Sequence, residues 1–276
     1  MPPRQHPKLI VTVAPVGSYA TTADTPHLPV TPDAIIEDGI RCWEAGASIL
    51  HYHARDKDQK PCLDYDFFAR VLEGLRKHTR LIIQISTGFR SPAHRDDRIR
   101  AVDLRPDMMS LNVGSVNLPK GPYPNDPKDV EYYAGKMIEY GVKPEIECFD
   151  LSHIYAGIDL WKRGLIKDPP YFDMVMNIKT ALPYHPRHLV HMVDTVPAEG
   201  MWSVIGVGPA QLPATTMGIL MGGHCRVGLE DNLFYGYRQL ATNAQLVERV
   251  VRLANELQRE VATPDEARAM LRIENS

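Results

Sequence analysis

Eight short runs of β-branched and apolar residues recur along this chain, and a stretch of helical periodicity follows each one. They are residues 9–14 (LIVTVA), 48–53 (SILHYH), 81–86 (LIIQIS), 108–112 (MMSLN), 144–149 (PEIECF), 172–176 (FDMVM), 202–207 (WSVIGV) and 225–230 (CRVGLE). Strands that alternate with helices pair in parallel through right-handed crossovers. The helix starts carry their own signals. Thr31 precedes Pro32, and Asp126 precedes Pro127 ahead of a helix predicted over 127–140; a capping oxygen followed by proline at the first turn is a common way to open a helix. A further helix is predicted over 64–77, and Thr263 with Glu266 forms a capping box that opens the last one. A doubly wound open sheet would give the same alternation. The strand count, and the gathering of polar residues at strand C-terminal ends, favour closure into a single (β/α)8 TIM barrel over residues 1–276, a length typical of that fold.

Composition removes several function classes. The formal net charge of −3 leaves no electrostatic footprint for nucleic acid or an anionic membrane. No apolar run approaches the roughly 20 residues that span a bilayer, and residues 1–6 (MPPRQH) lack the apolar core of a signal peptide. Cys42, Cys62, Cys148 and Cys225 are scattered, with no C-x-x-C pair, so neither a disulfide framework nor a thiolate zinc cluster is expected. Together these point to a cytoplasmic protein with reduced thiols. Phosphate-loop and dinucleotide fingerprints are missing. Gly206-Val207-Gly208 is only a weak sign of close backbone approach, and the basic stretch 90–100 after the third strand could meet a phosphorylated cofactor but reads first as a solvated charge run. The Pro- and Gly-rich stretch 118–126 falls between a strand and its helix, where a functional loop would sit.

His51-Tyr52-His53 carries the strongest chemical signal. Side chains two apart on a strand share a face, so both imidazoles project together at a strand C-terminal end, which is the catalytic face of a barrel. By the same period Arg226, Gly228 and Glu230 share a face of the eighth strand. In a closed barrel only the first strand separates the eighth from the second, so Glu230 reaches a cation held by His51 and His53. Two imidazoles and a carboxylate suit zinc with an open position, and iron(II) or manganese use the same ligands. The plainer alternatives are an ordinary histidine pair, and Glu230 with Asp231 as acids at a helix start. Other strand ends are polar as well: Ser86-Thr87-Gly88, Ser110 with Asn112, and Glu145 with Glu147. A buried carboxylate such as Glu147 needs a partner.

The segments TVAPVGS, HLPVTPD, ILHYHARD, IIQISTG, SLNVGSVN, PEIECFD, GVG and GGHCRVGLEDN, in this order over nearly the whole chain, resemble the β-keto acid cleavage enzymes. The founding activity of that family is the 3-keto-5-aminohexanoate cleavage enzyme of lysine fermentation. NAQLVERVVRLANELQREVATPDEAR is similar to the family's C-terminal helices. The resemblance implies a zinc-dependent, homotetrameric barrel that converts a 3-oxo acid and acetyl-CoA into acetoacetate and a new acyl-CoA. It implies His51, His53 and Glu230 as metal ligands and Arg226 with Asp231 as the pair that generates the carbanion. Ser86, Ser110 and Glu147 are implied around the substrate, and Thr87, Gly88, Asn112 and Tyr19 are placed there with them.

Tyr19 stands where the founding enzyme has a glutamate. A tyrosine cannot pair with a substrate ammonium, so the amine-bearing acid is not the expected substrate. Segments 177–186 and 209–211 also depart from the founding sequence. The competing expectations are a metal-dependent hydrolase or a class II aldolase-type lyase on the same barrel, and a barrel that only binds or scaffolds.

Overall fold

A computed structural model of the protein describes residues 6–89 and 93–274. The eight apolar runs become β1 (Val11–Val13), β2 (Ile49–Tyr52), β3 (Ile82–Ile85), β4 (Met108–Asn112), β5 (Lys143–Cys148), β6 (Tyr171–Met176), β7 (Met201–Gly206) and β8 (His224–Val227). All neighbouring pairs are parallel, and the sheet closes in sequence order with β8 against β1. This is the (β/α)8 barrel that the alternation implies. Thr12 is level with Arg226 on one side and with Ile49 on the other, so β1 alone separates β8 from β2.

Helices α1 (Pro32–Glu44), α2 (Tyr65–His78), α3 (Arg95–Ile99), α4 (Pro127–Tyr140), α5 (Leu151–Lys162), α6 (Pro186–Thr195), α7 (Gln211–Met221), α8 (Asn243–Glu256) and α9 (Pro264–Leu271) follow in order. Their starts obey the predicted chemistry. Thr31 Oγ1 accepts from Ala34 N at 3.3 Å, Asp126 Oδ1 accepts from Lys128 N at 2.8 Å, and Thr263 with Glu266 closes a capping box. No helix among the described residues is long and apolar enough to cross a membrane.

Side chains on the outer faces of the strands pack under the helices in one large apolar core. Inside the barrel the composition changes with height. Ile10, Ile49, Ile82, Met108 and Tyr171 fill the N-terminal end, and α9 seals it from below with Ala267 and Leu271. Higher up the interior turns polar, with Gln84, Glu145, Asp173, Ser203 and Arg226 all buried. Polar side chains in that position must satisfy one another or a ligand.

The eighth strand is shorter than its sequence suggests. It ends at Val227 because Gly228 takes φ 142°, and a Cβ there would lie 2.1 Å from the Ala14 carbonyl oxygen. The chain then turns, with Asp231 N and Asn232 N both donating to Gly228 O, while Glu230 N donates to Ala14 O at 3.1 Å. Glu230 therefore sits on a turn pinned to the end of β1, not on β8. The helix-start alternative for Glu230 and Asp231 also falls away, because a hairpin (Phe234–Gly236 with Gln239–Leu240) precedes α8. The stretch 118–126 contributes to another hairpin, Val116–Leu118 with Gly121–Tyr123, which leans over the barrel mouth. Of the basic stretch 90–100, residues 90–92 lie outside the described residues. Residues 94–97 and Arg100 are exposed, as a solvated run would be, but Arg98 is half-buried: it donates to Thr87 O, Tyr123 Oη and Asn125 Oδ1 and ties this hairpin to the barrel.

Candidate active site

Three side chains from two distant parts of the chain meet at the C-terminal mouth. His51 Nε2 and His53 Nε2 are 3.4 Å apart. Glu230 Oε2 is 3.7 Å from the first and Glu230 Oε1 is 3.3 Å from the second. Ligands of a tetrahedral ion with bonds of about 2.1 Å are separated by about 3.4 Å along each edge; the two imidazole nitrogens stand at that spacing, and one donor atom from each of the three side chains lies within 4.8 Å of the others. Gln84 Oε1 lies 2.8 Å from His51 Nδ1. A carbonyl oxygen there accepts only from a protonated Nδ1, which leaves the Nε2 lone pair facing the cluster, as in the outer support of metal-binding imidazoles. Burial, with the Arg226 charge adding to it, pushes the His51 imidazole down to about 3, so it stays neutral as a ligand must. Burial works to raise the Glu230 carboxyl, but Arg226 and the two imidazoles outweigh it and hold it below the usual carboxylate range. Glu230 Oε2 is buried with no hydrogen-bond partner. This donor set fits a divalent cation.

Arg226, 3 % exposed, links the cluster to its neighbours. Its Nε and Nη2 donate to the two oxygens of Asp231 at 3.0 and 3.3 Å, Nη2 also approaches Glu230 Oε1 at 2.6 Å, and Nη1 is 3.8 Å from Glu147 Oε1. One guanidinium cannot neutralise this many acids. Burial, opposed by Arg226, pushes the Asp231 and Glu147 carboxyls up to about 7 and Asp173 up to about 6, and lifts Glu145 well above its ordinary value. A dication at the His51, His53 and Glu230 cluster would offset part of that excess negative charge.

A cavity of about 130 Å³ opens on the cluster. His53, Glu230, Arg226, Asp231, Glu147 and Ser86 form its polar side, and Leu118, Phe149, Val175, Ile178 and Ile205 form its apolar side. Tyr19 and Gly88 line it too, and Tyr19 stands at the rim, 40 % exposed. His51 lies behind His53 rather than on the wall, and three residues expected around the substrate do not reach it either. Thr87 spends its hydroxyl on Ser110 O and its amide on Ser110 Oγ. Ser110 lies behind Ser86, with their hydroxyl oxygens 3.5 Å apart. Asn112 is buried, and both its amide atoms lack a partner among the described residues. Two further residues shape the site without carrying a motif of their own. Gln84 is a polar residue inside LIIQIS, a pattern that should have flagged it. Gly17 gives way to Glu230: a Cβ at Gly17 would fall 2.3 Å from Glu230 Cγ.

The fold is a (β/α)8 barrel, and at its C-terminal mouth His51, His53 and Glu230 form a cluster that could hold a metal ion. The model of the beta-keto acid cleavage enzyme family matches residues 8–273. The chain is 42% identical over 267 residues to the 3-oxoadipate:acetyl-CoA acetyltransferase of Cupriavidus necator, a match covering 95% of this chain and 94% of that one. It is 40% identical over 267 residues to the 3-keto-5-aminohexanoate cleavage enzyme of Fusobacterium nucleatum, covering 96% and 97%. Among solved structures, apo ObcA superposes with a TM-score of 0.81 at 20% identity, over 90% of this chain and 66% of the longer ObcA chain, a likeness of fold. The chain belongs to the beta-keto acid cleavage enzyme family.

Proposed function

We propose that the protein condenses an uncharged 3-oxo acid with acetyl-CoA and cleaves the product to acetoacetate and a new acyl-CoA, with zinc held by His51, His53 and Glu230. The observation that carries this reading is the Asp231 carboxylate, clamped at both oxygens by Arg226 on the wall of the cavity that the histidine and glutamate cluster opens into. Acetyl-CoA appears in the name of the Cupriavidus relative, which supports the second substrate.

A bound dication would polarise the ketone and carboxylate oxygens of a 3-oxo acid and favour the enolate. The remaining work falls to the chain. The Ser86 hydroxyl and the Gly88 end of its strand face the cavity and hold the substrate carboxylate. Asp231 takes a proton from C2, a transfer suited to a carboxyl lifted toward neutral pH by burial. Arg226 fixes the direction of its lone pairs and keeps it anionic between turnovers. The C2 carbanion attacks the acetyl thioester and expels the CoA thiolate. That thiolate attacks the original ketone, the bond to C2 breaks, and Asp231 returns its proton to the departing acetoacetate carbon. Glu147, beside Arg226 and pushed up to about 7 by burial, donates to the ketone oxygen in its protonated form. The apolar wall of Leu118, Phe149, Val175, Ile178 and Ile205 receives the substrate's side chain and gives a charged one no partner.

A panel of 3-oxo acids offered with acetyl-CoA to metal-loaded enzyme tests the reading. Acetoacetate and an acyl-CoA should form in equal amounts, fastest with short uncharged side chains. Tenfold or greater preference for 3-keto-5-aminohexanoate would remove the assignment of Tyr19 and the apolar wall. Turnover without acetyl-CoA, or release of an aldehyde, would replace the acyl transfer with hydrolysis or aldol cleavage.

A further inference from the structure

A second, larger concavity of about 980 Å³ adjoins the active-site cavity and shares Tyr19, Val207, Glu230 and Asp231 with it. It runs outward between the segment after β7 and the hairpin after β8, and the hairpin Val116–Leu118 with Gly121–Tyr123 brings Lys120 to its edge. Its size is at the upper end for a small-molecule site. The reaction proposed above leaves this space unexplained.

The lining combines two features. Three cations border it, Lys120, Arg238 and Arg249, and none makes an ion pair with a carboxylate within 4.0 Å among the described residues, although Arg249 Nη1 donates to Tyr235 O at 2.6 Å. Each cation instead lies over an aromatic ring: Lys120 Nζ is 5.1 Å from the centre of Tyr19, Arg238 5.2 Å from Tyr237 and Arg249 4.6 Å from Tyr235. Asp24, the acid on the groove outside the active site, is bonded to the amide and hydroxyl of Thr21, and the Lys120 charge acts on it only as a lesser influence. The second feature is exposed aromatic surface, with Tyr237 89 % and Phe234 48 % exposed. Stacking platforms next to unpaired cations are how proteins hold a base and its phosphates. In (β/α)8 barrels the loops after the seventh and eighth strands are a frequent place for phosphate. Gly208 floors this part of the groove with φ 61° and open space where a Cβ would be, and α7 opens beside it without a side-chain cap.

We infer that this groove binds the phosphorylated nucleotide end of a coenzyme A thioester, with Lys120, Arg238 and Arg249 meeting the phosphates and Tyr237 or Phe234 meeting the adenine. The inner end of the groove then delivers the pantetheine arm past Val207 to Asp231. This rests on the acyl-CoA reading above. A second copy of the chain covering the same aromatic face is the competing occupant. The row of unpaired cations favours the polyanion.

Calorimetric binding of CoA and of pantetheine, which lacks the phosphates and base, tests this on metal-loaded full-length enzyme. Wild-type protein should bind CoA about 100-fold or more tightly than pantetheine. Lys120→Ala and Arg238→Ala, both at exposed positions, should each weaken CoA about tenfold, which is about 1.4 kcal/mol, and leave pantetheine within twofold. Tyr237→Ala should also weaken CoA, with no change of mass in light scattering. CoA affinity unaltered in all three variants overturns the groove and leaves the acyl-transfer reading standing. Dissociation of an assembly by Tyr237→Ala with CoA binding intact gives the face to a second copy. No CoA binding by wild-type protein overturns both readings.

Discussion

Replacing Gly17 with alanine should empty the metal site and leave the barrel folded. Gly17 is buried, and its φ lies outside the left-handed region, so the backbone itself accepts a side chain. The obstacle is Glu230. The new Cβ would lie 2.3 Å from its Cγ and 2.8 Å from its Cδ. An ordinary carbon contact needs about 3.4 Å, so the glutamate must retreat by about 1 Å, whereas metal–ligand bonds tolerate only about ±0.2 Å. Retreat is easy for a side chain but removes one of three ligands. Disturbing outer support alone costs about 10–100-fold in metal affinity, so losing a ligand should cost at least about 100-fold. Zinc affinity is read by competition with a chromophoric chelator, and folding by the urea midpoint of metal-free protein. Affinity within threefold of wild type, with the fold intact, would refute the geometry.

Other perturbations separate the roles. Asp231→Asn keeps the shape and one acceptor for Arg226 but removes the base; kcat should fall by about 10²–10⁴ while elemental analysis finds the metal content unchanged. Gln84→Leu removes the acceptor that holds His51 in one tautomer and should weaken metal binding about 10–100-fold, with full metal retention as the contrary result. Lys143 carries a pH signature remote from the site. Its ammonium is buried against Lys167 O and Pro169 O, and burial lowers its pKa from 10.5 to about 8. The unfolded chain then binds more protons between those values, so the cost of the buried charge is present below pH 8 and is relieved as pH rises toward 10.5. Lys143→Met should remove that relief, about 3 kcal/mol between the two limits. Parallel stability curves for variant and wild type from pH 7.5 to 10.5 would contradict it.

Much of the barrel was legible in the sequence because each strand is a local apolar run and several helices announce their own caps at Thr31, Asp126 and Thr263. The polar interior was not legible in the same way. Gln84 and Asp173 each interrupt an apolar strand, which marks them as needing partners, but the partner depends on which strands become neighbours and at what register. A strand running on to Glu230 would carry it toward the histidines by simple alternation, and the chain does not continue that way. Glu230 arrives there because Gly228 breaks the strand and the turn is bonded back to Ala14, a long-range contact with no local trace. Thr87 shows the opposite failure: a hydroxyl at a strand end looked like a ligand contact and is spent on Ser110.

X-ray absorption at the zinc edge, on protein loaded with one equivalent, bears most directly on the claim that His51, His53 and Glu230 form a cation site. The account predicts a first shell of nitrogen and oxygen at about 2.0–2.2 Å with imidazole back-scattering, and loss of that shell in Glu230→Ala. Sulfur at about 2.3 Å, or the same spectrum in the variant, would place the metal elsewhere.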